Sequence, residues 1–404
     1  MMKISISSEV VDEIKILYGE NLSVKLKHEI SQYVGKNATE KSTPILERFL
    51  EHYFVTNNEV SESRIMDYLF HKDPEEIIKT FWEFVSECWT SKFPALPHSP
   101  EYYAQKLCEL NSINRFDLAE DRRPSYADKG NIPLAKELNS FININPAKGS
   151  KWKVEFVFQD ELYGSQTGAL TILERIFRYK SKMTATLRHK LMSKMAIPVC
   201  PYCNRQYTTN YKSKSGIRPL ADLDHFYCKA RYPFLALSIY NFVPACQICN
   251  SRFKNDIDFY VHPHVNPHKR GFSSDAIFVL KDPKLLLDDH AWNHHDKLIV
   301  QLDVHGPDAD MIRQSIQTFQ LNEVYESHTD YIREIIWKSK AYGPEMIQCV
   351  KEEFGTLFRS EDEIMELLYG QYLNETNASK RPLAKLTQDL LRKSSEWNWP
   401  PSLP

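Results

Sequence analysis

Four cysteines in two Cys-x-x-Cys pairs constrain this chain more than any other feature. Cys200-Pro-Tyr-Cys203 and Cys246-Gln-Ile-Cys249 are separated by 42 residues. A Cys-x-x-Cys turn aims two thiolates at one point, and Zn²⁺ takes four such ligands in a tetrahedron. The spacing therefore predicts one closed zinc site on Cys200, Cys203, Cys246 and Cys249. A closed site has no open position, so this Zn²⁺ is expected to be structural. The loop it closes carries Asp222-Leu223-Asp224-His225-Phe226, with Asn241 shortly before the second pair and Asn250 directly after it. The Asp-His pair is left free for other work.

The chain has 404 residues, enough for two or three domains and a sizeable core. No apolar run approaches the roughly 18 residues of a membrane span, so no membrane contact is expected. The start, Met1-Met2-Lys3-Ile4-Ser5, lacks the apolar stretch of a signal peptide. A cytoplasmic protein is expected, where thiols stay reduced and bind metal more readily than each other. Cys88, Cys108, Cys228 and Cys349 are scattered and read as small core residues.

The net charge of −2 argues against a generic polyanion binder, but its distribution does not. Between Cys200 and Phe272 stand ten basic and four acidic residues, a local +6 that leaves −8 for the rest. Tyr202, Tyr207, Tyr211, Phe226, Tyr227, Tyr232 and Phe234 interleave with these charges. A basic island with aromatics on an acidic body reads as a focused site for a polyanion. Lys229, Arg231, Arg252 and Lys254 lie nearest in sequence to the Asp-His pair and the second cysteine pair, and are the expected nucleic-acid contacts.

The pattern predicts an α+β protein, mainly helical, around a compact zinc-stapled module. Residues 1–150 form a helical N-terminal region and 151–195 a helical lead-in. Residues 196–272 form the module, and 273–404 a mainly helical C-terminal region. Asp73 and Pro74 open one helix whose apolar residues Ile77, Ile78, Phe81, Phe84, Val85 and Cys88 recur at helical spacing. Residues 120–150 read as loops, 167–194 as one long helix, and 276–280 and 298–304 as strands. Helices are expected at 308–341, 344–357, 361–373 and 381–394, and one opening at Pro244-Ala245 would put Cys246, Cys249 and Asn250 on one face. His262, His264, His268, His294 and His295 read as ordinary loop or surface residues.

From Val199 to Lys254 the chain resembles the HNH endonucleases. The resemblance rests on Cys-Pro-Tyr-Cys, on Asp-Leu-Asp-His-Phe, and on Tyr-Asn-Phe-Val-Pro-Ala-Cys-Gln-Ile-Cys-Asn-Ser-Arg-Phe-Lys. The module that carries it, residues 196–272, is about 75 residues long, and its wording is nearest to HNH nucleases of bacterial anti-phage defence, of the Septu and retron-associated type. It implies a ββα-metal module that hydrolyses phosphodiester bonds in DNA and leaves 5′-phosphates. It makes Asp224 a metal ligand, His225 the general base, Asn241 the residue that fixes the loop between strands, and Asn250 the last ligand. Mg²⁺ or Mn²⁺ would be the catalytic ion, held by Asp224 and Asn250. Cys228 departs from the pattern, standing where proline is expected. A partner ATPase or another defence-system subunit is the expected partner. The competing expectations are a non-catalytic zinc module that binds nucleic acid or a partner ATPase, and an RNA-directed nuclease with the same site. No His-x-Glu occurs, which removes the zinc deaminases. Neither His-Glu-x-x-His nor a phosphate-binding Gly-x-x-x-x-Gly-Lys loop occurs, which removes the common zinc protease and any ATP-driven step within this chain.

Overall fold

Side chains that cap, break and anchor helices set the course of the N-terminal region. The structure is a computed structural model that describes residues 1–35, 42–92, 144–146, 152–154, 162, 166–213, 216–219, 221–255, 257–287, 297–374 and 377–394. Ser7 caps Ser8–Tyr18 by accepting from the Val10 amide. Thr43 does the same for Pro44–Phe54, where proline takes the first helical position. Asn57 and Asn58, both at positive φ, turn a short hairpin between Val55–Thr56 and Glu59–Val60. Asp73 accepts from the Glu75 amide and opens Pro74–Lys92.

The lead-in is not one long helix. It breaks into Ala169–Ile176, Tyr179–Lys182 and Ala185–Met195. Thr184 is the reason for the second break, because its hydroxyl caps the last helix through the Leu187 amide. Lys182 and Lys194 tie these pieces to Glu29 and Glu13 of the first helices.

Strands are few and come as antiparallel pairs. Ala276–Leu280 pairs with Val300–Val304, close to expectation. Ile144–Pro146, expected in a loop, pairs with Trp152–Val154. Asp121-Arg122-Arg123-Pro124, Cys108 and the His294-His295 pair lie outside the described residues. The expected helix 308–341 is interrupted at Gln320, which takes a left-handed φ of 48° between Ala309–Thr318 and Leu321–Tyr325. Pro344–Phe354, Glu361–Tyr369 and Ala384–Ser394 end the described chain.

One continuous apolar core runs from the first helix to the last. Its aromatic centre joins Phe49, Tyr68 and Phe81 of the N-terminal helices to Phe234, whose ring lies 4.9 Å from that of Phe81. The Tyr68 hydroxyl also donates to the Phe234 carbonyl (2.9 Å). The C-terminal region holds the other side of the 196–272 segment. The Asn204 amide bonds to the carbonyl of Ala378 and the amide of Lys385, and the Tyr325 hydroxyl donates to the Cys203 carbonyl (2.7 Å). Close approach leaves no room for a side chain at Gly271, where a Cβ would meet the Lys3 nitrogen at 2.9 Å.

Two histidines are built into this core as neutral rings. His268 Nε2 donates to the Phe242 carbonyl (2.7 Å). His264 is stacked on Phe259 and bonds to the His262 carbonyl and the Thr318 hydroxyl. Burial lowers each to about 4. In the unfolded chain they take protons near 6.5, so between that pH and 4 the unfolded state binds more protons. Their stabilising contribution is intact above pH 6.5, is lost as pH falls toward 4, and does not fall further below it. Each histidine weighs roughly 3 kcal/mol over this window. His268→Gln, which retains a donor, should flatten the fall in urea midpoint between pH 6.5 and 4.

Candidate metal and active site

The four cysteines meet. Their sulfurs lie within 4.8 Å of one another, all four residues are buried, and Cys203 and Cys246 are 4.0 Å apart. A tetrahedron with Zn–S bonds of about 2.3 Å has edges of about 3.8 Å, so this cluster could hold Zn²⁺. The first pair sits in a tight knuckle closed by the Asn204 amide to the Cys200 carbonyl and the Cys200 amide to Gln206. Asn204 takes a φ of 51°, which asparagine tolerates well. Hydrogen bonds from the other three thiols pull Cys246 far below its usual value, an arrangement suited to carrying thiolate charge.

The second pair follows a hairpin. Asp222–His225 runs antiparallel to Phe242–Ala245, with Asp222 opposite Ala245 and His225 opposite Phe242. Pro244 therefore belongs to a strand and does not open a helix. The helix starts later and spans Ile248–Lys254. It is wound wide, its turn closing from the Asn255 amide to the Asn250 carbonyl (2.9 Å).

Strand alternation puts Asp222 and Asp224 on one face and His225 on the other. The helix grips the two acids with residues four apart. Asn250 Nδ2 donates to Asp222 Oδ2 (3.0 Å), and Lys254 Nζ donates to Asp224 Oδ1 (2.9 Å) and to the His225 carbonyl (2.6 Å). The Tyr202 hydroxyl, from inside the first cysteine pair, donates to Asp224 Oδ2 (2.6 Å).

This differs from the expected arrangement in two ways. Asn250 bonds to Asp222 rather than to Asp224, and both oxygens of Asp224 accept hydrogen bonds, from Lys254 and Tyr202. Lys254 is not a surface cation, since its side chain is 2% exposed and its charge is spent on Asp224. Asp222, passed over in the sequence, is the half-buried carboxylate beside Asn250. Its position two residues before Asp224 was the available signal.

His225 lies on the opposite side of the strand. Its Nε2 donates to the Ala236 carbonyl (3.0 Å), because a carbonyl can only accept. The remaining nitrogen, Nδ1, is then the acceptor of a neutral ring. Burial, with Lys229 and Lys254 nearby, holds the ring well below its usual value. Phe242 and Tyr179 pack edge-on against it at 5.0 and 4.8 Å. Asn241 fixes the loop that supplies Ala236. Its side chain accepts from the Tyr227 amide (2.7 Å) and donates to the carbonyls of Tyr227 (3.0 Å) and Leu235 (3.2 Å).

Of the other expected contacts, Lys229 and Arg252 are exposed, whereas Arg231 is half-buried and paired with Asp258 (3.5 Å). Among the described residues, the only group of three or more His, Cys, Asp or Glu ligand atoms within 4.8 Å is the four cysteines; Asp222, Asp224 and His225 form no second one. No helix among the described residues is long and apolar enough to cross a membrane. No family model, curated protein or solved structure matches this chain.

Two outcomes are expected. Elemental analysis of purified protein should find one zinc per chain, and Cys246→Ser should release it. Structural zinc contributes roughly 10–16 kcal/mol of apparent binding energy in small modules, so that variant should lose cooperative unfolding of residues 196–272. The Lys254–Asp224 pair is buried on both sides, at 2% and 5% exposure. Lys254→Met leaves an unpaired carboxylate and should cost about 3–5 kcal/mol in urea denaturation. Adding Asp224→Asn should recover much of that loss.

Proposed function

We propose that this chain is a metal-dependent HNH endonuclease that hydrolyses phosphodiester bonds in DNA. The observation that carries the reading is the hydrogen bond from His225 Nε2 to the Ala236 carbonyl. It fixes one tautomer and leaves Nδ1 as a lone pair, as a general base requires. The reading is supported by the strand–strand–helix order of this segment and by the hydrogen bonds of Asn241 within the loop between the strands.

In the proposed reaction, water attacks phosphorus while its proton passes to His225 Nδ1. The bond to the leaving 3′ oxygen breaks and that oxygen takes a proton from solvent water, giving a 5′-phosphate and a 3′-hydroxyl. Asp222, Asp224 and Asn250 are the oxygen donors on the hairpin's other face, a set suited to a hard divalent ion such as Mg²⁺ or Mn²⁺. When bound, such an ion stabilises charge on the phosphate and the leaving oxygen. Lys254 supplies positive charge at Asp224, partly neutralising the pair of acids. A place in an anti-phage defence system with a partner ATPase, and a cytoplasmic setting, rest on the resemblance and the sequence alone.

A second reading is favoured by the engagement of Asp224 by Tyr202 and Lys254 and by the burial of His225. It is a zinc module that binds nucleic acid or a partner ATPase without cutting. One experiment separates the two and also tests the RNA-directed alternative. Purified full-length protein is incubated with plasmid DNA and with RNA, in Mg²⁺, Mn²⁺ or EDTA. Nicking of DNA that needs the metal supports the nuclease. His225→Ala should lower the rate by roughly 10²–10⁴-fold without loss of zinc. Cleavage of RNA alone would redirect the substrate, and intact nucleic acid in every arm would sink the catalytic reading.

A further inference from the structure

We propose that Arg188 and Lys229, set about the Tyr179 ring, form a phosphate seat beside His225. The assignment of its occupant as nucleic-acid phosphate rests on the nuclease reading. Arg188 and Tyr179 come from the helices Ala185–Met195 and Tyr179–Lys182, which precede the first cysteine pair.

The geometry converges on one ring. Tyr179 stands edge-on to His225, with centroids 4.8 Å apart. Lys229 Nζ lies 5.4 Å from the Tyr179 centroid. Arg188 and Asp222 both lie near enough to the Tyr179 phenol to act on it, the cation against the effect of burial and the acid with it. The ring thus joins two cations, the candidate base and the half-buried acid of the opposite face.

Arg188 Nε is buried and has no hydrogen-bond partner. Native structures keep few such donors, because an unpaired buried donor is costly. A ligand oxygen is a reason to keep one. Arginine's planar fork suits two oxygens of one phosphate, and Lys229 adds a point charge. Neither cation pairs with a carboxylate among the described residues, unlike four basic residues of the 196–272 segment. Lys254 is held by Asp224, Arg231 by Asp258, Lys269 by Asp73 and Glu75, and Arg270 by Asp275 and Asp308.

The test is binding, read apart from cleavage. Full-length protein is titrated into a fluorescein-labelled DNA duplex without divalent ion across a salt series, and anisotropy gives the log–log slope. Arg188→Gln and Lys229→Gln should each reduce the slope by about 0.9, one duplex phosphate's worth. Arg188→Lys should restore the slope, and Tyr179→Phe should keep it. A merely structural Arg188 would lower the melting temperature and leave the slope unchanged; that result overturns the proposal. Should Arg188→Gln fail to fold, Lys229→Gln at its exposed position reads the same seat, and an unchanged slope there overturns it equally. Wild-type protein that binds no duplex also overturns it. If both slopes fall but wild type cuts neither DNA nor RNA with Mg²⁺ or Mn²⁺, the seat stands and the nuclease reading fails.

Discussion

The convergence of Cys200, Cys203, Cys246 and Cys249 sets where the site helix begins, and the positions of the polar groups follow from that. Cys246 and Cys249 must face the first knuckle, so the wide turn from Ile248 to Lys254 has one rotational setting. In that setting Asn250 meets Asp222 and Lys254 meets Asp224. The knuckle contributes a second time, because Tyr202 lies between its two cysteines and donates to Asp224. A shift of the helix by one residue would carry Lys254 off Asp224 and leave a carboxylate buried without its cation, several kcal/mol uphill at roughly 3–5. The thiol cluster and the ion pair therefore enforce the same register from opposite ends of the helix.

The side of the hairpin that carries His225 is held from elsewhere. Ala236, its carbonyl partner, follows Phe234 in a short helical turn, and Phe234 is packed among Phe49, Phe81 and Tyr68 of the N-terminal helices. Asn241 closes the loop from inside. The N-terminal helices thus bear on the orientation of the imidazole although none of their residues touches it in the contacts described. The C-terminal helix bears on the knuckle in the same indirect way, through Asn204 and Lys385. The helical regions around residues 196–272 are in this sense parts of the frame that sets the site.

What the sequence disclosed here follows from the range of each signal. Cysteine spacing carries a ligand geometry with it, so the cluster was legible. The run of five apolar residues at 276–280 and the alternating 300–304 were legible as strands too. The break at Thr184 was missed because apolar spacing continues across it, while a capping hydroxyl acts only locally. Pro244 looked like a helix start because proline favours the first turn. It is equally suited to a strand position opposite Leu223 whose amide is not needed. Tyr179 and Arg188 were missed for a different reason. Nothing in the sequence says that a helix some 40 residues upstream will pack against His225; only the tertiary fold brings them together.

The charge count shows the same limit from the electrostatic side. A local +6 suggested a surface of free cations, but charge in sequence is not charge in solvent. Lys254, Arg231, Lys269 and Arg270 are matched by carboxylates, the last three reaching outside the hairpin and helix to Asp73, Glu75, Asp258, Asp275 and Asp308. Arg188, outside the basic stretch, pairs with no carboxylate among the described residues and acts on Tyr179, whose ring packs against the candidate base. Lys229 and Lys254 are the charges that act on His225 itself, whereas Arg188 acts on the Tyr179 phenol beside it. A matched pair projects a dipole that falls off quickly, whereas an unmatched cation projects a full charge. The −8 on the rest of the chain is the background against which these charges act. An anion approaching the acidic body is drawn to exposed cations that no carboxylate matches among the described residues, such as Lys229 near the imidazole and Arg252 on the site helix.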